Sequence, residues 1–334
     1  MSMGDQTAFN RGDIIFKEGS YGSSIYKVVS GQVAVYAKYG TEAEKLLTEL
    51  RAGDYFGEMA VIEITTRSAT VVAAEDGTRV LEIDATDLGG YLKEHGDEMN
   101  GIARHLSRRL RELTMDYTEV CDTLRELGRL DTSKDRVGEG LFSRIKKFAR
   151  VYLLGQNPVE AAAEPVRVES TPDEGLALHG MQYRAHDLIF REGDRSDCMY
   201  YIHEGRLGVY SAYGTEKQKL LTELGSGAFF GEMGLFERRH RTATLVALED
   251  NTFVEAIYED DLSAMYQQNP AMAMLLLQHL SSRLRKLTQD YLKACRLLSE
   301  TEKEIEENQE RITPEMLLQA EQLNRLLLVP EMMY

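Results

Sequence analysis

Positive charge, cysteine and long apolar runs are all scarce in this chain of 334 residues. The formal net charge of −16 opposes non-specific attraction to nucleic acid, whose phosphates bind clustered Lys and Arg. The three cysteines (Cys121, Cys198 and Cys295) are too few and too scattered for a metal site and are typical of reduced thiols. No apolar run reaches the roughly 18 residues of a membrane span, and no secretory signal opens the chain. We therefore expect a cytoplasmic protein with no transmembrane segment and no DNA partner.

Catalytic signatures are also missing. The sequence has no nucleophile motif, no Walker-type phosphate loop and no His/Cys cluster, and its seven histidines are scattered. We therefore predict that the chain is not an enzyme and that it binds no metal and no cofactor.

What the sequence does contain is an internal duplication. Residues 15–19 match residues 189–193, and residues 45–50 match residues 219–224, always 174 positions apart. About 47 of the positions between 9 and 117 are identical to their partners, without a single insertion. The chain therefore carries two copies of one fold.

Each copy predicts a β-rich domain followed by a helix. Short β-rich runs alternate with glycine-containing turns, which is typical of a sandwich or jelly-roll barrel, and a helical period begins at about Tyr91. We predict a mainly β protein with α: two tandem β jelly-roll domains, each with a long C-terminal helix, plus a helical connector and tail. The boundaries are 1–127 for the first domain with its helix, 128–182 for the connector helix and acidic, Pro-containing linker, 183–300 for the second domain with its helix, and 301–334 for the helical tail.

The long helix of each copy has the spacing of a coiled coil. Apolar residues recur at alternating steps of four and three, so one stripe of the helix is apolar along its length. The stripe comprises Leu106, Leu110, Leu113, Tyr117, Val120, Leu124 and Leu127, repeated as Leu280, Leu284, Leu287, Tyr291, Ala294, Leu298 and Thr301. Either each helix packs on its own barrel, or the two helices pair as an intramolecular pseudo-dimer.

Two amphipathic stretches lie outside the copies. Residues 142–154 combine four basic side chains with apolar ones and predict either an intramolecular helix or a surface for a membrane or a partner. Residues 316–328, after Pro314, predict a helix that is a candidate for docking to a protein partner.

One loop in each copy points to chemistry. The first copy has Phe-Gly-Glu-Met at residues 56–59 and Arg-Ser-Ala-Thr at residues 67–70, and the second has Phe-Gly-Glu-Met at residues 230–233 and Arg-Thr-Ala-Thr at residues 241–244. The arginine follows the glutamate by nine positions and begins an apolar strand. Such an arginine needs an anionic partner, because an unpaired buried charge is costly.

This loop resembles the phosphate-binding cassette of the cyclic-nucleotide-binding domain family. The family includes the bacterial catabolite activator protein, the regulatory subunits of cyclic-nucleotide-dependent protein kinases, and cyclic-nucleotide-gated channels. The resemblance covers each copy almost entirely, and its glutamate-to-arginine spacing is that of the kinase-type cassette. One departure is the proline that often precedes the arginine, which is replaced by Thr66 and His240.

The resemblance implies a bound cyclic nucleotide, cAMP or cGMP. Backbone N–H groups after the glycine would form an anion nest, the glutamate would accept the ribose 2′-hydroxyl, and the arginine would bind the exocyclic phosphate oxygens. The serine or threonine after the arginine would add a hydroxyl. The predicted ligand-binding residues are Gly57, Glu58, Met59, Ala60, Arg67, Ser68 and Ala69 in the first copy, and Gly231, Glu232, Met233, Gly234, Arg241, Thr242 and Ala243 in the second.

The preferred base stays open. Directly after the arginine, Ser68 resembles the residue at this position of the bacterial cAMP regulator, whereas Thr242 resembles that of cGMP-selective members. One hydroxyl contributes only about 1 kcal/mol, so it determines the preference for the base weakly. Thr114 and Thr288, at matched positions of the long helices, are candidates to approach the base.

The implied function is a receptor that signals through its C-terminal helices to a separate, unidentified protein. The acidic stretch 302–307 follows the second helix, where the catabolite activator family has a helix-turn-helix, and we find no kinase-inhibitor sequence before the first copy. The alternatives are a ligand-free interaction scaffold that retains the fold and a transcription regulator.

Overall fold

The computed structural model describes residues 6–42, 44–62, 66–84, 95–129, 137–154, 179–231, 240–307 and 318. They belong to two compact units. The first unit draws on Met1–Thr86, Glu112–Arg167 and Leu284–Leu328, and the second on Asp87–Arg111 and Val168–Arg283. Each unit therefore combines one barrel with helical segments that are distant in sequence.

The barrel of the first unit is built from two four-stranded antiparallel sheets. Its elements are β1 (Gln6–Phe9), β2 (Ile14–Phe16), β3 (Ser24–Ser30), β4 (Gln32–Ala37), β5 (Lys45–Arg51), β6 (Tyr55–Phe56), α1 (Glu58–Ile62), β7 (Thr70–Ala73) and β8 (Thr78–Asp84). The strand orders are β1-β8-β3-β6 and β2-β7-β4-β5. Val28 and Val80 of the first sheet pack against Val33 and Val71 of the second to form the core. The predicted β class is confirmed.

The barrel of the second unit repeats this topology. Its strands are β9 (Gly180–Tyr183), β10 (Leu188–Phe190), β11 (Cys198–Glu204), β12 (Arg206–Ser211), β13 (Lys219–Gly225), β14 (Phe229–Phe230), β15 (Thr244–Ala247) and β16 (Thr252–Tyr258). The orders β14-β11-β16-β9 and β10-β15-β12-β13 match those of the first barrel. Register is kept as well, because Tyr26 lies opposite Phe56 and Tyr200 opposite Phe230. The duplication therefore extends to strand pairing.

The helices are α2 (Gly96–Leu127), α3 (Glu139–Leu154), α4 (Leu262–Gln268) and α5 (Pro270–Glu307), with a short 3-10 turn at Glu259–Asp261. The start of α5 is determined locally. Pro270, which has no N–H, takes the first helical position, and Asn269 Oδ1 accepts the N–H of Met272 at 3.0 Å. None of the described helices combines the length and the apolar character needed to cross a bilayer.

Two element boundaries differ from the sequence expectations, and two more lie wholly or largely outside the described residues. The start of the first long helix near Tyr91 lies outside the described residues, and α2 is described from Gly96 onward. β9 begins at Gly180, inside the predicted linker, because its backbone pairs with β16. The second long helix passes residue 300 and ends at Glu307, and Ile305 on this extension is buried. The predicted helix at residues 316–328 lies outside the described residues except for Leu318.

Within the first unit, α3 contacts both long helices. Its apolar stripe of Leu141, Ile145 and Phe148 is buried, and the ring of Phe148 meets that of Tyr291 edge-on, with centroids 6.5 Å apart. The ion pairs are Arg144 with Glu126, Lys147 with Glu119 at 2.7 Å, and Lys146 with Glu306 at 3.2 Å. Of the two interpretations for this stretch, the structure favours the intramolecular helix.

The C-terminal halves of α2 and α5 also approach each other in the first unit. Burial, the adjacent Cys121 and the negative charge of Asp290 raise the pKa of Tyr117. Burial, the adjacent Cys295 and the negative charge of Asp116 raise the pKa of Tyr291 in the same way. The two contacts are related by the 174-residue repeat. Of the two predicted arrangements, pairing of the long helices therefore applies to these C-terminal halves. Most of the predicted apolar stripe is buried there.

Candidate functional site

The predicted loop of the first barrel begins at a glycine with positive φ. Gly57 lies between β6 and α1 with φ +77, a conformation that glycine adopts far more readily than other residues. A Cβ atom at this position would lie 2.5 Å from Nη1 of Arg67. Gly231 has φ +74, and a Cβ there would overlap Nη1 of Arg241. Both the backbone conformation and the space beside the arginine require glycine.

Arg67 is buried at the centre of this site, with 3% of its surface exposed. Its Nη1 donates to the carbonyl oxygen of Gly57 and its Nη2 to that of Ser24, both at 2.6 Å. These bonds use two of the five N–H groups of the guanidinium. The backbone is held too, because the N–H of Arg67 donates to Ser20 O and Arg67 O accepts the N–H of Gly19. Arg67 therefore joins three separate parts of the barrel.

Arg241 occupies the matched position in the second barrel and is 7% exposed. Its Nη2 donates to the carbonyl oxygen of Cys198 at 2.7 Å and lies 3.5 Å from the Cys198 sulfur. Its Nη1 donates to Gly231 O at the longer distance of 3.4 Å. The same residue type thus reaches the same two backbone positions in both copies.

Each arginine lies over a cluster of aromatic rings, of which only Phe56 and Phe230 belong to the predicted loop motif. In the first barrel the guanidinium carbon is 4.4 Å from the centroid of Phe16 and 5.6 Å from that of Tyr26. Tyr26 stacks on Phe56 with centroids 5.3 Å apart. Phe190, Tyr200 and Phe230 form the equivalent cluster under Arg241. Their identity at the 174-residue spacing was a visible signal, but identity alone does not tell which face of a strand a ring occupies.

The pKa of Arg67 is lowered overall, with burial as the main cause. Tyr26 and the carboxylates of Glu58 and Glu82 oppose this effect and raise the pKa. Glu58, the first residue of α1, is itself only 1% exposed. The predicted glutamate and arginine are therefore both buried and act on each other electrostatically.

The other predicted site residues differ in exposure. Ala60, Ala69 and Ala243 are buried, Met59 is half-buried, and Ser68 and Thr242 are exposed. Glu232, Met233 and Gly234 lie outside the described residues. Across the described part of the chain, no group of three or more His, Cys, Asp or Glu side chains could hold a metal ion.

The second site contains two buried polar atoms with no hydrogen-bond partner among the described residues. These are Nε of Arg241 and Oγ of Ser196, a residue that is 5% exposed. Ser196 replaces Gly22 of the first barrel, where a Cβ would come within 2.7 Å of Nη2 of Arg67. Because buried polar groups are normally paired, these atoms are suited to the oxygens of a ligand.

Comparisons with known proteins bear on both copies. The family model described as "Cyclic nucleotide-binding domain" matches residues 6–95 and 181–269, more than half of the chain. The chain is 25% identical over 253 residues to the cAMP-dependent protein kinase regulatory subunit of Dictyostelium discoideum, covering 75% of this chain and 62% of that protein. It is 32% identical over 119 residues to the cyclic AMP receptor protein of Thermus thermophilus, covering 34% of this chain and 55% of that protein.

A solved structure of cAMP-bound PfPKA-R has 18% identity and a TM-score of 0.34, covering 87% of this chain and 79% of that one. The matched region spans 62% and 55% of the length of the two curated relatives.

Proposed function

The chain belongs to the cyclic nucleotide-binding domain family, and we propose that it is a receptor for a 3′,5′-cyclic nucleotide, cAMP or cGMP. The observation that supports this best is one arrangement found twice. A buried arginine, Arg67 or Arg241, donates to the carbonyl of the glycine that opens the loop. A buried cation beside the start of a short helical turn is suited to a small anion, even though the chain as a whole is acidic.

In this proposal the arginine binds the phosphate. Its remaining N–H groups would donate to the exocyclic oxygens, and backbone N–H groups after Gly57 and Gly231 would complete the cradle. Glu58 would accept the ribose 2′-hydroxyl, so a 2′-deoxy ligand would leave a buried carboxylate without that partner. The predicted ligand-binding residues of both copies remain our proposed set.

We further propose that the signal passes to a separate protein and that the chain itself is not an enzyme. Ligand would shift the population between arrangements of a barrel and its long helix, and an unidentified effector would bind one of them. Three buried thiols are compatible with a reducing compartment, and we propose the cytoplasm.

Isothermal titration calorimetry of the full chain with cAMP and with cGMP tests the receptor proposal. We expect heat with at least one of them and weaker binding of its 2′-deoxy analogue. Arg67→Ala combined with Arg241→Ala should weaken binding at least about 100-fold, because charge-assisted hydrogen bonds contribute roughly 1.5–3 kcal/mol each.

Arg11→Ala and Arg184→Ala are the matched controls, because both arginines are exposed on the barrels, and binding should be unchanged in each. A folded chain that gives neither heat nor thermal stabilisation with either nucleotide would contradict the receptor proposal and leave the ligand-free scaffold.

A further inference from the structure

One carboxylate beside the first site is absent from the matched strand position of the second. Glu82 lies on β8 opposite Tyr26 of β3, and the matched pair in the second barrel is Ala256 opposite Tyr200. Because the two barrels share topology and register, the substitution changes one charge at the same place in the fold.

Glu82 is coupled to Arg67 through two neighbours. Its Oε1 accepts a hydrogen bond from Ser24 Oγ at 2.6 Å and another from the Tyr26 hydroxyl at 3.1 Å. The carbonyl oxygen of Ser24 accepts from Nη2 of Arg67, and the ring of Tyr26 lies under its guanidinium. The carboxylate of Glu82 is therefore separated from Arg67 by a single residue, which is Ser24 on one route and Tyr26 on the other.

The matched network of the second site has a thiol where the first has a hydroxyl. Cys198 replaces Ser24, and its sulfur lies 3.5 Å from Nη2 of Arg241. Burial raises the pKa of the Cys198 thiol, which keeps it uncharged near neutral pH. Ala256 stands in the place of Glu82, so this strand position brings no carboxylate to the second site. A different carboxylate, that of Asp197, acts on the Cys198 thiol there.

We propose that Glu82 lowers the affinity of the first site for an anionic nucleotide. The inference rests on the proposed function and deepens it. A carboxylate beside the arginine repels an incoming phosphate and attracts the same cation, so its removal strengthens phosphate binding. Because Glu82 is exposed, solvent screens its charge. We therefore expect removal of the charge to raise nucleotide affinity by only about threefold to tenfold.

Each site can be titrated alone. In an Arg241→Ala chain, which leaves the first site, Glu82→Gln should bind cAMP or cGMP about threefold to tenfold more tightly. Glutamine keeps an oxygen acceptor for Ser24 and Tyr26, so this variant separates charge from hydrogen bonding. In an Arg67→Ala chain, which leaves the second site, Glu82→Gln should leave nucleotide affinity unchanged. The gain from Glu82→Gln should shrink between about 50 mM and about 500 mM salt, because only a charge effect is screened.

Glu49→Gln is the matched control, since Glu49 is exposed on β5 of the other sheet and should leave affinity unchanged. If the arginine variants do not fold, a two-site titration of Glu82→Gln in the otherwise unsubstituted chain should tighten binding at only one of the two sites. Nucleotide binding with no change on Glu82→Gln, or with weaker binding, overturns this inference alone. No binding by the unsubstituted chain overturns the proposed function and this inference with it.

Discussion

Arg67 donates to the carbonyl oxygen of Gly57, ten positions earlier in the chain, at 2.6 Å. Arg241 makes the same bond to Gly231 at 3.4 Å. The bond closes the loop in which the ligand would be held, so each arginine has a structural role beside its proposed role in binding. Stability without nucleotide and affinity for nucleotide therefore have to be measured separately.

Arg67→Ala should lower the stability of the ligand-free protein by about 1–3 kcal/mol, because the carbonyl oxygens of Gly57 and Ser24 lose their donor. Thermal unfolding of the full chain without nucleotide measures the loss. Arg241→Ala should act in the same direction, and the exposed Arg11→Ala should have no effect. An unchanged transition for Arg67→Ala would show that the closed loop contributes nothing to stability.

Gly57→Ala should weaken nucleotide binding, whereas Gly12→Ala should not. Both glycines have positive φ, so alanine costs roughly 1–2 kcal/mol of backbone strain at either position. Only at Gly57 would the added Cβ press on Nη1 of Arg67, since nothing lies within 4 Å of a Cβ at Gly12. Calorimetric affinity alongside thermal unfolding distinguishes the two effects, and equal affinities for the two variants would contradict the prediction.

Phe148→Ala should destabilise the helices of the first unit by about 3–5 kcal/mol, because a fully buried ring of α3 leaves a cavity against Tyr291. Urea unfolding followed by circular dichroism checks the loss. Arg150→Ala, on the exposed side of the same helix, is the control and should leave unfolding unchanged. A small effect of Phe148→Ala would mean that α3 is not held to the long helices.

Raising the pH should reduce stability through Cys295. Burial is the main cause that raises the pKa of its thiol from 9.0 to about 12. Between these values the unfolded chain has lost the thiol proton while the folded chain retains it. The free energy of unfolding therefore falls as pH rises through this window, by about 1.4 kcal/mol per pH unit for one proton.

Cys295→Ala should remove this part of the pH dependence, which urea unfolding at pH 8, 9, 10 and 11 would reveal as a shallower slope. Buried tyrosines such as Tyr291 also have raised pKa values, and they contribute to the pH dependence of both the unsubstituted chain and the variant. The informative quantity is therefore the difference in slope between the two proteins. Parallel slopes for the two proteins would refute the assignment.

The chain should be a monomer in solution, because the C-terminal halves of its own two long helices approach each other and most of their apolar stripe is buried there. Tyr117 lies near Asp290, and Tyr291 near Asp116, the reciprocal pattern that a symmetric dimer would form between two chains. Sedimentation equilibrium at micromolar concentration measures the mass, with and without nucleotide. A stable dimer of chains would argue against the intramolecular pseudo-dimer.

Much of the fold follows from patterns that are local in sequence and occur twice. Alternating residues and glycine turns indicate strands, and the four-three stripe indicates the long helices. Arg67 and Gly57 could be identified from the sequence for the same reason, since both lie in one short segment. Ser24, Tyr26 and Glu82 were missed as parts of the site, because strand pairing brings them to the arginine from positions 43, 41 and 15 residues away. No local pattern encodes that proximity.

The sequence by itself determined that the chain has two copies of one β barrel with a long helix, and that each copy has a glycine, a glutamate and an arginine at fixed spacing. Backbone conformation and hydrophobic burial depend on near neighbours, and a 174-residue repeat without insertions makes that information unambiguous. Only the tertiary structure decided which carbonyls and rings surround each arginine. It decided as well that Glu82 is linked to Arg67 through Ser24 and Tyr26. It also decided that the C-terminal halves of α2 and α5 pair in the first unit. These relations depend on strand register and helix packing between distant segments, where side-chain geometry, not sequence spacing, determines which groups meet.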